Sequence, residues 1–213
     1  MDRCCESKAT ELAAMRLRQG RVLLAVLAVN ATMFFVEFGA GLLSGSTALL
    51  ADSLDMLGDS FVYGFSLVVL HRSLMWRARA ALAKGVIMGA FGLGVLLEAG
   101  SQVGAGVPPV APTMLAVGTL ALAANAFCFS LLWRHRADDI NLRSTWLCSR
   151  NDLIANGAVL VAGGLVAWSQ SFWPDVVVGV GIASLFLRTA ALVIRESLAE
   201  INRATKGVIE PAG

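Results

Sequence analysis

Charge is scarce in this chain. Asp, Glu, Lys and Arg make up 15% of its 213 residues, while 57% are hydrophobic. Soluble domains carry about 25% charged residues, so the composition excludes an ordinary soluble fold and belongs to a membrane protein. Cysteine is scarce too. Cys4 and Cys5 are adjacent, and Cys128 and Cys148 fall in apolar segments far apart in sequence. That spacing excludes a disulfide framework and leaves reduced thiols or metal ligands. The opening stretch "MDRCCESKATELAAMRLRQG" has no early apolar core and no small-residue cleavage site. It reads as a short amphipathic or disordered lead-in, not a signal peptide. A nucleotide-binding motif is missing as well, with no room for a nucleotide domain, which points away from ATP-driven work; no enzyme is expected, since the i,i+4 pairing of Asp55 with Asp59 and of Cys148 with Asp152 speaks against an intramembrane aspartyl enzyme. No cofactor and no nucleic-acid partner are expected.

What is present is a series of apolar runs, at 22–43, 46–70, 81–103, 113–133, 145–168 and 174–195. Each is long enough for a helix to cross a bilayer core of about 30 Å. The expected fold is therefore all-α: an integral membrane protein of six transmembrane helices, with the lipid bilayer as its first partner. Residues 1–21 form a cytoplasmic N-terminal segment, 22–195 the transmembrane domain and 196–213 a short cytoplasmic tail. The breaks at 71–84 and 134–143 are basic, whereas those at 44–46, 107–112 and 169–175 contain no Lys or Arg. The positive-inside rule then puts both termini in the cytoplasm. Arg150 and Arg188 lie toward the cytoplasmic halves of their spans, where long side chains can snorkel. The compact chain suggests a bacterial inner membrane. Gly85 and Gly89 in "KGVIMGAFGLG" are spaced for close helix contact or a dimer face, though glycine is common in membrane helices anyway.

Within the second run, "LLADSLDMLGDSFVYGFSLVVL" carries Asp52, Asp55 and Asp59. Carboxylates in hydrocarbon are costly, so each needs a partner or a proton. Asp55 and Asp59 are four apart, which stacks them about 6 Å apart on one helix face. Such a pair repels itself unless one acid is protonated or both share a cation. Asp52 lies one turn nearer the outside. The fifth run offers Cys148 and Asp152 at the same spacing, in "CSRND". Together the two helices would present three carboxylates and a sulfur, a donor set that suits a four-coordinate ion such as Zn²⁺, provided they are neighbours. Cys148 alone reads more often as a small buried hydrophobe than as a ligand; its spacing from Asp152 brings the two readings level. Glu37 reads as an interhelical hydrogen-bonding group or as part of an ion path, and Asn156 as an outer partner of Asp152 or a gate residue. Asn125 reads as interhelical, and His71 and His135 as surface residues.

These residues resemble the cation diffusion facilitator family of divalent-metal transporters. The resemblance rests on "GSTALLADSLDMLGDS" and "NDLIANGAVLVAGGL" and covers nearly all of the hydrophobic chain. It implies that Asp55 and Asp59 form half of a metal site, that Asp152 belongs to the other half, and that Cys148 stands where the family usually has His. A thiolate there would soften the site toward Cd²⁺, Hg²⁺ or similar ions. The expected function is export of a divalent transition metal, as transported substrate, in exchange for protons. The alternative is a membrane protein that binds metal without moving it and regulates or pairs with a partner. The family's usual cytoplasmic domain has no counterpart in the sequence, so an expected homodimer would rest on membrane helices. The Cys4–Cys5 pair reads as a soft cytoplasmic ligand pair or as plain tail residues.

Overall fold

The computed structural model describes the backbone of residues 2–68, 74–135 and 140–209, with side chains within 20–64, 75–133 and 152–203 except at positions 23, 62, 63 and 77. Cys4, Cys5 and Cys148 therefore lie outside the described side chains, and His71 outside the described residues altogether. The described residues form six helices: α1 (Asp2–Ser44), α2 (Thr47–Val68), α3 (Leu74–Ala105), α4 (Ala111–His135), α5 (Ile140–Ser169) and α6 (Trp173–Ile209). Each apolar run lies within or overlaps one helix. On the basic side the helices outrun the apolar segments: α3 begins inside the stretch 71–84 and α1 reaches back to Asp2. Arg and Lys are good helix formers, so nothing there stops the helix where hydrocarbon ends.

Five of the helices are long and apolar enough to cross a membrane over Gly20–Ser44, Ala78–Ala105, Ala111–Trp133, Asp152–Ser169 and Trp173–Arg203. The sixth, α2, holds the three aspartates; its 22 residues span about 33 Å at 1.5 Å per residue, enough for the crossing. The chain is a multi-pass membrane protein. Large apolar side chains such as Phe35, Leu43, Leu97 and Trp168 face outward, as expected where the solvent is lipid.

The breaks at the apolar end are short and capped. α1 closes with Gly45 at φ 66°, a left-handed position that suits glycine, and the Ser46 amide returns to the Gly41 carbonyl at 3.0 Å. Ser46 then caps α2 by accepting from the Leu49 amide at 3.1 Å. α3 ends on Gly106, also at φ 66°, and Pro112 and Pro174 occupy the first turns of α4 and α6, where a missing N–H costs nothing. The Val110 amide donates to the Ser44 carbonyl at 3.0 Å, tying the α3–α4 loop to the α1–α2 turn. All three short connections gather at one end of the bundle. The exposed Arg21, Arg79, Arg195 and Arg203 lie toward the other end.

α2 is the axial element. It packs against α1, α3, α5 and α6. From Ser46 to Leu54 every residue is buried, so this part of the helix is covered all round. The core around it joins Leu49, Leu54, Met114, Val159, Val166 and Ile182, from α2, α4, α5 and α6. Elsewhere α3 lies on α6 with glycines at the contact: a Cβ on Gly85 would come within 2.8 Å of Ile194, and one on Gly92 within 3.0 Å of Leu187. The Gly85–Gly89 stripe is thus used for packing within the chain.

Candidate functional site

Two buried polar clusters sit along α2. The first is at the end where the three short connections meet. Asp175, in the first turn of α6, is fully buried. Its Oδ1 accepts from the Ser46 hydroxyl at 2.6 Å and the Ala48 amide at 3.1 Å, and its Oδ2 accepts from the Thr47 amide at 2.7 Å. This carboxylate therefore caps α2 from a different helix, taking up first-turn amides that have no partner inside α2 itself. Beside it the Thr47 hydroxyl donates to Gln102 Oε1 at 2.6 Å, and Gln102 Nε2 donates to the Gly45 carbonyl at 3.0 Å. The clamp is tight because α6 presents Gly179 to the same turn; a Cβ there would lie 2.7 Å from the Thr47 carbonyl carbon. Sequence reasoning passed over this cluster, treating 44–46 and 169–175 only as breaks. An Asp in a helical first turn was the available signal.

The second cluster lies deeper in the membrane. Asp55 and Asp59 share one side of α2 and are partly buried, while Asp152 on α5 is buried. α2 and α5 pack together, which meets the condition that sequence spacing left open. The side chains of Asp55 and Asp152 face each other within hydrogen-bond reach, and Asp59 and Asp52 lie close enough to act electrostatically on Asp152. Two carboxyl groups can bond in this way only if they share a proton, and a cation between them would serve the same end. Position 148 is one turn before Asp152 on α5. Among the described residues no three His, Cys, Asp or Glu side chains already converge on one point. A cation taken up here must draw the carboxylates together.

One turn toward the clamped end, Asp52 is fully buried and accepts from Asn156 Nδ2 at 3.1 Å. Asn156, expected as an outer partner of Asp152 or a gate residue, donates to Asp52 on α2. Asn125 is buried on α4, and its Nδ2 is without a partner among the described residues. The sequence reads Cys128, on α4, as a reduced thiol or a metal ligand in an apolar run. The fold brings it within electrostatic reach of Asp59 and Asp152, with Asn30 Nδ2 at 3.9 Å from its sulfur. No local pattern announces that contact, because it depends on how α4 packs against α5 and α1.

Residues 23–201 match the family described as the cation efflux transmembrane domain. The zinc transporter ZitB of Escherichia coli (strain K12) is 27% identical over 195 residues, covering 85% of this chain and 62% of the relative. The ZitB of Yersinia pestis is 30% identical over 193 residues, covering 84% and 62%. The cadmium, cobalt and zinc/H(+)-K(+) antiporter of Bacillus velezensis is 25% identical over 205 residues, covering 89% and 65%. The chain therefore spans a little under two thirds of the length of these relatives.

Proposed function

Because this chain belongs to the cation efflux transmembrane domain family, the cation diffusion facilitators, we propose that it carries a divalent transition-metal cation out of the cytoplasm in exchange for protons. The metal is cargo and not a resident cofactor, and the family's work is transport, not enzymatic catalysis. Asp55 and Asp59 of α2 with Cys148 and Asp152 of α5 are the proposed ligands. A bacterial inner membrane is the proposed location, in keeping with the bacterial relatives.

The observation that carries the reading is the meeting of Asp55 and Asp152 across two membrane helices, with Asp59 one turn away on the same face. Emptied of metal, three carboxylates and a thiol cannot all stay ionised in hydrocarbon, so protons take the place of the ion. Metal arriving from one side displaces protons, and protons arriving from the other displace metal, since both need the same lone pairs. Alternation between the two sides then supplies net exchange. By the positive-inside assignment, the end clamped by Asp175 faces outward, and export requires that clamp to loosen. The relatives' names, zinc in two cases and cadmium, cobalt and zinc moved against protons and potassium in the third, support a zinc-like ion and a proton counterflow. A homodimer belongs to the same proposal and would use faces other than the Gly85–Gly89 stripe.

Everted vesicles with an acidic lumen test it. The parent accumulates Zn²⁺ or Cd²⁺ and releases protons. Asp55→Ala, Asp59→Ala and Asp152→Ala reduce that uptake to background, a loss beyond the roughly tenfold to hundredfold that removal of an outer partner brings. Uptake at the parental rate in all three variants would sink the site assignment.

A further inference from the structure

One set of buried oxygens is not used by the four proposed ligands. Glu37 on α1 is fully buried, and among the described residues neither of its carboxyl oxygens has a hydrogen-bond partner. Asp52 Oδ2 on α2 is in the same condition, and so is Oδ1 of Asn156 on α5. The Asn156 oxygen is an independent sign, since it belongs to a neutral side chain whose amide nitrogen already fixes it on Asp52 at 3.1 Å. Glu37 and Asp52 also stand at one depth. Glu37 precedes Ser44 by seven residues and Asp52 follows Ser46 by six, so each lies about 10 Å below the α1–α2 turn at 1.5 Å per residue. Glu37 is close enough to Asp52 and Asp55 to feel both charges.

Orphaned acceptors of this kind are costly in a protein interior and costlier in a membrane. Met33, Phe34, Ala51 and Met56, buried within about one turn of Glu37 or Asp52 along their own helices, offer no donor, and the Ser53 hydroxyl is spent on the Leu50 carbonyl at 2.7 Å. Both Glu37 oxygens, Asp52 Oδ2 and Asn156 Oδ1 are thus acceptors that, among the described residues, only a proton or a metal cation can satisfy. We propose that Glu37, Asp52 and the Asn156 amide oxygen form a second, oxygen-only station for the transported divalent cation, one helical turn nearer the clamped end than Asp55 and Asp152. The inference rests on the transport reading above. Its chemistry is directional: a borderline or soft ion is held less firmly by oxygen alone than by a set that includes sulfur. An ion stepping from the first station to the second is thereby loosened before it leaves.

Equilibrium dialysis of the full chain in lipid nanodiscs against Zn²⁺, with ions counted per chain, tests this. The parent takes up one tightly held ion and a second held about tenfold or more weakly. Asp152→Asn removes the tight ion and leaves the weaker one. Glu37→Gln removes the weaker ion and leaves the tight one. Asn156→Asp, which adds charge to the second station, tightens the weaker ion by about tenfold, a gain that a merely structural role would not produce. If the tight ion is present but no weaker ion responds to Glu37→Gln or Asn156→Asp, the second station is overturned while the transport reading stands. If no divalent ion binds the parent at all, both fall together.

Discussion

The two polar clusters on α2 bury the same chemical group to opposite ends. At the clamped end a single carboxylate, Asp175, receives three donors, and both of its oxygens are occupied. Thr47, Gln102 and Gly45 beside it pair donor with acceptor in the same way. Deeper in the membrane the balance is reversed. Glu37, Asp52, Asp55, Asp59 and Asp152 bring carboxylates together, and among the described residues Glu37 Oε1 and Oε2, Asp52 Oδ2 and Asp152 Oδ2 are left with no partner. A charge surrounded by donors is finished and holds helices in place. Acceptors in excess of donors are unfinished without a cation. The difference between the clamp and the proposed site in this molecule is a count of donors.

The comparison breaks first on pH. Where metal and protons compete for the deep carboxylates, metal binding must release protons, so affinity rises as pH rises and falls on acidification. Release of two protons corresponds to about a hundredfold change in affinity per pH unit. Zn²⁺ titrations between about pH 5.5 and 7.5, read alongside proton release in weak buffer, measure the slope. A flat profile would mean that the deep carboxylates do not exchange protons for metal, and the two clusters would no longer differ in kind.

How much of this was legible beforehand divides along the same line. The six helices follow from apolar runs, and the Asp55–Asp59 pair from spacing on one helix, because both are local properties. What spacing cannot convey is which helices touch. Asp152 meets Asp55 through a contact spanning almost half the chain, Cys128 approaches Asp59 only once α4 is packed, and Asp175 caps a helix that begins 128 residues earlier. Gly85 and Gly89 are a similar case: the pattern announced a close contact, and only the fold assigns that contact to α6.

The clamp gives the next largest effect. Asp175→Ala leaves the Thr47 and Ala48 amides and the Ser46 hydroxyl without their acceptor, inside protein. Loss of a cap together with orphaned donors costs about 2 kcal/mol or somewhat more. Thermal unfolding in detergent should show it as a clear fall in Tm. Zn²⁺ affinity of the folded fraction at the Asp55–Asp152 pair should stay near the parent's, since Asp55 and Asp59 lie about two or more turns from the capped amides. Unchanged Tm with lost Zn²⁺ binding would reverse the roles assigned to the clusters. At the proposed ligand Cys148, Cys148→His then sharpens the chemistry. Exchanging sulfur for imidazole should shift the Cd²⁺ to Zn²⁺ preference toward Zn²⁺ by about tenfold in competitive uptake. An unmoved ratio would reduce Cys148 to packing.

The smallest effect asks whether the clamped end is balanced bond by bond. Thr47→Val keeps the branched shape but removes the donor to Gln102 Oε1, leaving a buried acceptor; the cost is about 1 kcal/mol. Gln102→Leu strands the Thr47 hydroxyl and the Gly45 carbonyl and should cost somewhat more. In the double variant both ends of the Thr47–Gln102 bond are gone, so no group is left unpaired by that bond. Its destabilisation should be smaller than the sum of the two, by about 0.5 kcal/mol or more. Strict additivity would mean that the two side chains act separately and that their hydrogen bond holds nothing. The deep cluster should behave the other way in the metal-free protein. There Glu37→Gln supplies donors among orphaned acceptors, so it should raise Tm where the same kind of change at the clamp lowers it.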